Sequence, residues 1–295
     1  MCAFLSTGAL ANRQNVVSLG HGLLQCRVAP GLGGRLVSLS WDGGPNLLDD
    51  RAEAWTATQL AQARPNTDTR DFGSVVWIGP QSTWWTDQDA FPLLRAAAAT
   101  WPPDPQITQS PYEIVLQTSR EIVLCSQPSP IWGVVMTRRF FCQDDDTLLQ
   151  EVTVRNIRAV PVARDIWFVH RFPVDDREYV PLGSVVRIEG KGESREKDGL
   201  HSLAWKDAPV AGDIAKAFLV PRDGWVACHV PGGRVTIRFA KPSQVSPGQA
   251  PVEISRSRNV TGETFEIEHH SALGQLAPGG SMTAAETISF QPSSP

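Results

Sequence analysis

The segment Phe72-Gly-Ser-Val-Val-Trp77-Ile-Gly-Pro-Gln81-Ser-Thr-Trp84-Trp85 places three tryptophans, a glutamine and a Gly-Pro turn within fourteen residues. Trp101-Pro-Pro-Asp104-Pro closes the same region. Indole rings stack on the C–H faces of a pyranose, and amides or carboxylates fix its hydroxyls. A tryptophan is also an ordinary core residue. Clustering beside glycine and proline turns tilts this group toward a site. Trp77, Trp84 and Trp101 are therefore candidate stacking residues, with Gln81 and Arg35 as candidate partners for hydroxyls or a uronate carboxylate.

A second group could move protons. Glu253 sits between Val252 and Ile254 and faces away from both. Glu266, Glu268 and His270 share one face of a strand, opposite Phe265 and Ile267. The ordinary reading of such a row is solvent exposure. His170 ends the apolar run Ile166-Trp-Phe-Val169 and is the histidine best placed to pair with a remote glutamate, although a packed histidine is common at a strand end.

Other motifs point to no chemistry. Pro30-Gly-Leu-Gly-Gly-Arg35 lacks the spacing of a phosphate loop and reads as a tight turn before a strand. No Gly-x-Ser-x-Gly or His-Glu-x-x-His occurs. Asp144-Asp-Asp146 reads as a hairpin turn and Lys191–Asp198 as an exposed charged loop. The five cysteines are odd in number and widely spaced, as expected of reduced, buried thiols. No cofactor motif and no metal-ligand spacing is visible.

The elements that must position these groups are short. Alternating apolar and polar runs recur at Leu24–Val28, Val37–Trp41, Tyr112–Thr118, Glu121–Gln127, Val134–Phe141, Leu148–Arg155 and Val162–His170. They continue at Ser184–Glu189, Ala215–Val220, Trp225–Val230, Val235–Ala240, Thr264–His270 and Met282–Phe290. Such runs between Gly, Pro and Asp turns predict an all-β sandwich of two large antiparallel sheets. Helix is expected only at Ala52–Ala63 and Leu93–Ala99. Both fall in one long non-strand segment, about 50–111, that also carries the tryptophans; a loop this long is usually functional. The expectation is a single domain over 1–295 with a frayed tail from Gln291 to Pro295.

Net charge is −4 without a basic stripe, which argues against nucleic acid as partner. No apolar run approaches the roughly 20 residues that span a bilayer. The N-terminal residues lack the basic region of a signal peptide, so a soluble, cytoplasmic protein is expected.

Several ordered blocks resemble the galactose mutarotase-like superfamily, and within it the family of unknown function 4380. They are Val28-Ala-Pro-Gly-Leu-Gly-Gly-Arg-Leu-Val-Ser-Leu39 with Asn46-Leu-Leu48; Phe72 to Gln81 through Trp101-Pro-Pro-Asp104; Arg139-Phe-Phe141, Val154-Arg-Asn156, Pro161-Val162 and Ile166-Trp167; and Phe265-Glu-Ile-Glu268 running into Leu276-Ala-Pro-Gly-Gly-Ser281 and Glu286. The resemblance implies a β-supersandwich that binds carbohydrate on a concave sheet. It also implies a glutamate base on a late strand and a histidine acid. By position, Glu253 is the nearest match to that base and Glu268 the second; His170 lies near the acid's strand, although the Asn-His-x-Tyr-Phe signature is absent. There is also no Leu-Glu-Thr-Gln around Glu253, and Ser74-Val-Val76 stands where a basic residue is common.

The functional expectation is a carbohydrate-binding protein, acting on the anomeric centre of an aldose or sugar derivative if it is an aldose 1-epimerase-like isomerase. The alternatives are a non-catalytic sugar-binding module and a protein-interaction module. Oligomeric state, monomer or homodimer, stays open.

Overall fold

The computed structural model describes residues 16–49, 72–173, 178–190, 192–205, 214–259 and 262–293. In chain order the strands are β1 (Val17–His21), β2 (Leu24–Ala29), β3 (Arg35–Trp41), β4 (Ser74–Gly79), β5 (Glu113–Gln117), β6 (Glu121–Cys125), β7 (Val134–Cys142), β8 (Thr147–Asn156), β9 (Val162–Phe172) and β10 (Glu178–Pro181). They continue as β11 (Gly183–Glu189), β12 (Gly192–Lys197), β13 (Leu200–Trp205), β14 (Ile214–Pro221), β15 (Trp225–Val230), β16 (Gly233–Phe239), β17 (Val252–Asn259), β18 (Gly262–His270), β19 (Gly274–Leu276) and β20 (Ser281–Pro292). All the pairings are antiparallel and form two ten-stranded sheets. The first runs β1-β2-β3-β4-β9-β18-β17-β14-β11, with β19 pairing off β9; the second runs β12-β13-β10-β15-β16-β20-β8-β7-β6-β5.

The sheets pack face to face because each strand keeps a period of two. Phe265 and Ile267 of β18, Val252 and Ile254 of β17, and Ala217 and Leu219 of β14 meet Val226, Val235, Ile237 and Ile288 of the second sheet in one core. The alternate residues of the first sheet point to its other, outer face. That face carries Trp77, Asp165, Trp167, Lys216, Glu253, Glu268 and His270.

The turn from β2 to β3 needs its glycines. Gly33 has φ +64°, and a Cβ there would sit 2.3 Å from the Thr108 carbonyl oxygen. The Asp144–Asp146 hairpin forms between β7 and β8, closed by Gln143 N–H donating to Thr147 O at 2.9 Å.

Three sequence expectations need correction. The long segment taken as free of strands contains β4, a central strand between β3 and β9. Its residues Ser74–Gly79 are all buried, on both faces, so no polar alternation marks it. The charged stretch at 191–198 contains an edge strand, β12, paired with β13; charges are usual on an edge. The tail is strand as far as Pro292, held by pairing of Gly233 with Pro292 and Arg234 with Gln291. Helix forms at Pro92–Ala96, overlapping the expected Leu93–Ala99 but starting one residue earlier and ending three earlier, and at Pro105–Thr108; the Ala52–Ala63 expectation falls outside the described residues. Among the described residues no helix is long and apolar enough to cross a membrane.

Asp104 ties the tryptophan segment to the rest. It is buried, accepts from Gln106 N at 2.8 Å and Trp132 N at 3.3 Å, and takes the Ser129 hydroxyl. Burial raises its carboxyl to about 6 against these donors. Asp104→Ala leaves those donors unpaired and is expected to destabilise the protein by about 2 kcal/mol in urea unfolding, with the tryptophan emission shifted.

Candidate functional site

Glu253 and Glu268 stand directly opposite each other on β17 and β18. Like charges in that position repel. Lys216 on the next strand, β14, answers both. Its Nζ lies 2.7 Å from Glu253 Oε2 and donates to Glu268 Oε1 at 3.1 Å and Oε2 at 3.2 Å. Trp167 of β9 donates its indole N–H to Glu268 Oε2 at 2.8 Å. The Lys216 ammonium stands 5.5 Å from the Trp167 ring centre, within cation–π range.

His270 completes the group. Its Nδ1 donates to Asp165 Oδ2 at 2.7 Å, and its Nε2 lies 3.5 Å from Glu253 Oε1. Ser246 donates to the other oxygen of Asp165 at 2.8 Å. The imidazole packs 4.6 Å from the Trp167 ring. Gly79, across from Asp165 on β4, leaves room for that carboxylate; a Cβ there would meet Asp165 Oδ1 at 1.9 Å.

The environments push these groups apart in acidity. Burial raises Glu268 to about 7, against the Lys216 charge. Burial would raise Glu253 too, but the facing His270 and the Lys216 charge outweigh it and bring it to about 2. Burial opposes charge on His270, yet Asp165 and Glu253 lift it to about 9. Near neutral pH the site therefore holds a cationic histidine, one firmly ionised carboxylate and one carboxyl close to its midpoint.

The tryptophans form one wall. Trp77 meets Trp84, Trp101 and Trp167 edge to face at 5.8, 5.7 and 4.9 Å. Only Trp101 among them offers an open face, at 49 % exposure. Trp77 and Trp84 are buried, and the Trp84 indole donates to Ile78 O at 2.6 Å. They pack behind Trp101 instead of lining a surface. Gln81 donates to Thr100 O at 3.1 Å and so braces the loop that carries Trp101.

Two predicted residues stand elsewhere. Arg35 is wholly buried, with its guanidinium 4.8 Å over the Phe72 ring and Nη1 donating to Phe72 O at 3.1 Å; it does not point into a cleft. His170 lies on the opposite face of β9 from Trp167, inside the core, where its Nε2 meets Glu286 Oε2 at 2.9 Å. The expected pairing of His170 with Glu253 does not form, because the sheet itself separates them. The histidine beside Glu253 is His270. Lys216 and Asp165 drew no attention in the sequence; the signal was each one's place as the charged residue on the polar side of an alternating run, Ala215-Lys-Ala217 and Asp165-Ile-Trp167. A separate groove of about 670 Å³ over Ser18, Gln25, Arg27, Ser38 and Ser40 gathers no comparable set of titratable groups.

Two large antiparallel sheets, with almost no helix among the described residues, define a galactose mutarotase-like fold, and solved structures match it. The Slr1438 protein of Synechocystis sp. PCC 6803 superposes with a TM-score of 0.63 at 13% identity, covering 98% of this chain and 100% of its own. A galactose mutarotase-like protein from Lactobacillus casei ATCC 334 gives 0.60 at 10% identity, over 94% and 100%. A galactose mutarotase related enzyme from Lactobacillus acidophilus gives 0.59 at 11%, over 94% and 97%. No curated protein matches the sequence. The sequence profile described as "Domain of unknown function (DUF4380)" matches residues 14–290, and the chain belongs to that family.

Lys216 is the keystone of this charge pattern. Lys216→Met strands two buried carboxylates without their cation and is expected to cost about 3 kcal/mol. In the variant Glu268, already raised by burial, rises further above its unfolded value, while His270 still faces Glu253. The stability lost through Glu268 is smallest at low pH, where its carboxyl is protonated in both states, and grows as pH rises through the carboxylate range, so the deficit against wild type is larger at pH 8 than at pH 4 in chemical denaturation.

Proposed function

We propose that the protein binds a carbohydrate on the outer face of its first sheet and acts at the anomeric centre by general acid–base catalysis. The observation that carries this reading is the convergence of Glu268, Glu253, Lys216 and His270 against Trp167, with Trp77 and Trp101 alongside. The fold is one that galactose mutarotase-like proteins share. Opening a cyclic hemiacetal requires a base for the anomeric hydroxyl and an acid for the ring oxygen. Ring closure after rotation about the bond to C1 gives the other anomer. Glu268, near 7, is matched to the base role, and His270, cationic at neutral pH, to the acid role. Glu253 stays ionised and holds Lys216 and His270 in place. Trp101 supplies the stacking face. Among the described residues Cys26, Cys125, Cys142 and Cys228 are buried and none is in a disulfide, which supports a reducing, cytoplasmic setting.

A second reading, a sugar-binding module without chemistry, is favoured by one observation: Glu253 and Glu268 are buried and already paired through Lys216.

The test is NMR saturation transfer between α and β anomeric protons across hexoses, uronates and sugar phosphates. Accelerated exchange is expected for at least one of them, reduced about 100-fold or more in Glu268→Gln. Trp101→Ala should weaken binding about tenfold, the ~1.4 kcal/mol of one stacking contact. Line broadening without exchange would move the assignment to the binding module. Exchange unchanged in Glu268→Gln would remove Glu268 from the chemistry.

A further inference from the structure

The opposite face of the same strands holds a second polar group, between the sheets and independent of the sugar reading. His170 of β9 and His269 of β18 approach from the first sheet, and Glu286 of β20 from the second. Their ligand atoms all lie within 4.8 Å of one another. All three residues are buried. His269 is fixed by parallel rings on both sides, Phe168 at 4.6 Å and Phe239 at 4.2 Å.

We propose that His170 Nε2, His269 Nε2 and Glu286 Oε2 form a binding site for one divalent transition-metal ion of the zinc class. Two imidazoles and one carboxylate are a donor set such ions accept, with a further position for water. Tetrahedral bonds of about 2.0–2.1 Å put neighbouring donor atoms about 3.3 Å apart. The two histidine nitrogens lie 2.9 and 2.5 Å from Glu286 Oε2, closer than bound donors would stand, and the set as a whole spans up to 4.8 Å, so the side chains must shift by about an ångström for one ion to bind all three.

The competing arrangement is a plain hydrogen-bonded tie between the sheets. The distribution of contacts argues against it. Two donors facing one carboxylate would spread over its two oxygens. Here both converge on Oε2, while Oε1 is buried with no hydrogen-bond partner among the described residues. His170 Nδ1 is buried and unpartnered as well. So is the amide of Gln150, the cross-strand neighbour of Glu286 on the same inward face. These polar atoms suit a metal-bound water and its hydrogen bonds. The charge balance is the demanding part. Arg138 on β7 is near enough for its charge to interact with Glu286, and it disfavours an added cation. Its Nη1 donates to Gly33 O at 3.2 Å and its guanidinium lies 5.0 Å from the Phe140 ring centre, while its Nε and Nη2 are buried with no hydrogen-bond partner among the described residues. The expected affinity is accordingly below that of an otherwise neutral shell.

The test is metal analysis of the full chain, produced without a metal-chelating tag, followed by chelator treatment and titration with Co²⁺ and Zn²⁺. About one equivalent of metal per chain is expected, with visible Co²⁺ ligand-field bands that Zn²⁺ displaces. Glu286→Gln and His269→Gln should lose the bands, while Glu268→Gln, on the outer face, should keep them. Absence of metal together with no Co²⁺ or Zn²⁺ uptake by wild type would overturn the proposal even if the inner-face variants fail to fold. Uptake unchanged in folded Glu286→Gln and His269→Gln would overturn it too, by assigning the binding to surface groups.

Discussion

Two consecutive histidines end strand β18, and the pleat sends them to opposite faces. His269 goes inward to Glu286 of the facing sheet, and His270 outward to Asp165 and Glu253. The period of two in a central strand is the constraint on which the rest depends. It assigns Phe265, Ile267 and His269 to the core and Glu266, Glu268 and His270 to the outer surface. A slip of one residue in register would exchange the two sets. The aliphatic packing of β14, β17 and β18 against the second sheet therefore positions the polar site while contributing no polar atom to it.

The outer site costs stability and is retained within a well-packed frame. Glu253 and Glu268 face each other in a place where the sheet alone would disfavour both charges. Lys216 resolves this only in part, leaving one carboxyl low and the other close to neutral pH. Such a split is a usual preparation for proton transfer. The neighbouring tryptophans are mainly structural. Trp77 and Trp84 fill the space under the loop, and their burial is what holds Trp101 at the surface.

Much of the sandwich was legible because half-buried strands advertise themselves by alternation. Leu148–Arg155 and Thr264–His270 are clear examples, and both lie within observed strands. β4 was hidden because burial on both faces erases the alternation. The glutamates were legible as a shared face of strands, since that is local information. His270 was legible on that face too, but its place beside Glu253 was not. Choosing between His170 and His270 needs to know which face of β9 looks toward β17's glutamate, and that is set by the pairing of β9 with β18 across about a hundred residues of chain. Lys216 was obscured for the same reason: its partners sit on strands that only the sheet order brings beside β14. The cluster of tryptophans was visible as a cluster, but the sequence carries no information on which ring stays uncovered.

The account stands or falls on the outer network being formed and charged. The direct measurement is the titration of His270 by NMR of its imidazole nitrogens, assigned with His270→Gln. A midpoint near 9, with the ring cationic through neutral pH, is what the contacts to Asp165 and Glu253 require. An ordinary midpoint near 6.5 would contradict the account, because it would mean that neither carboxylate holds the ring and that no cationic acid stands beside Glu268.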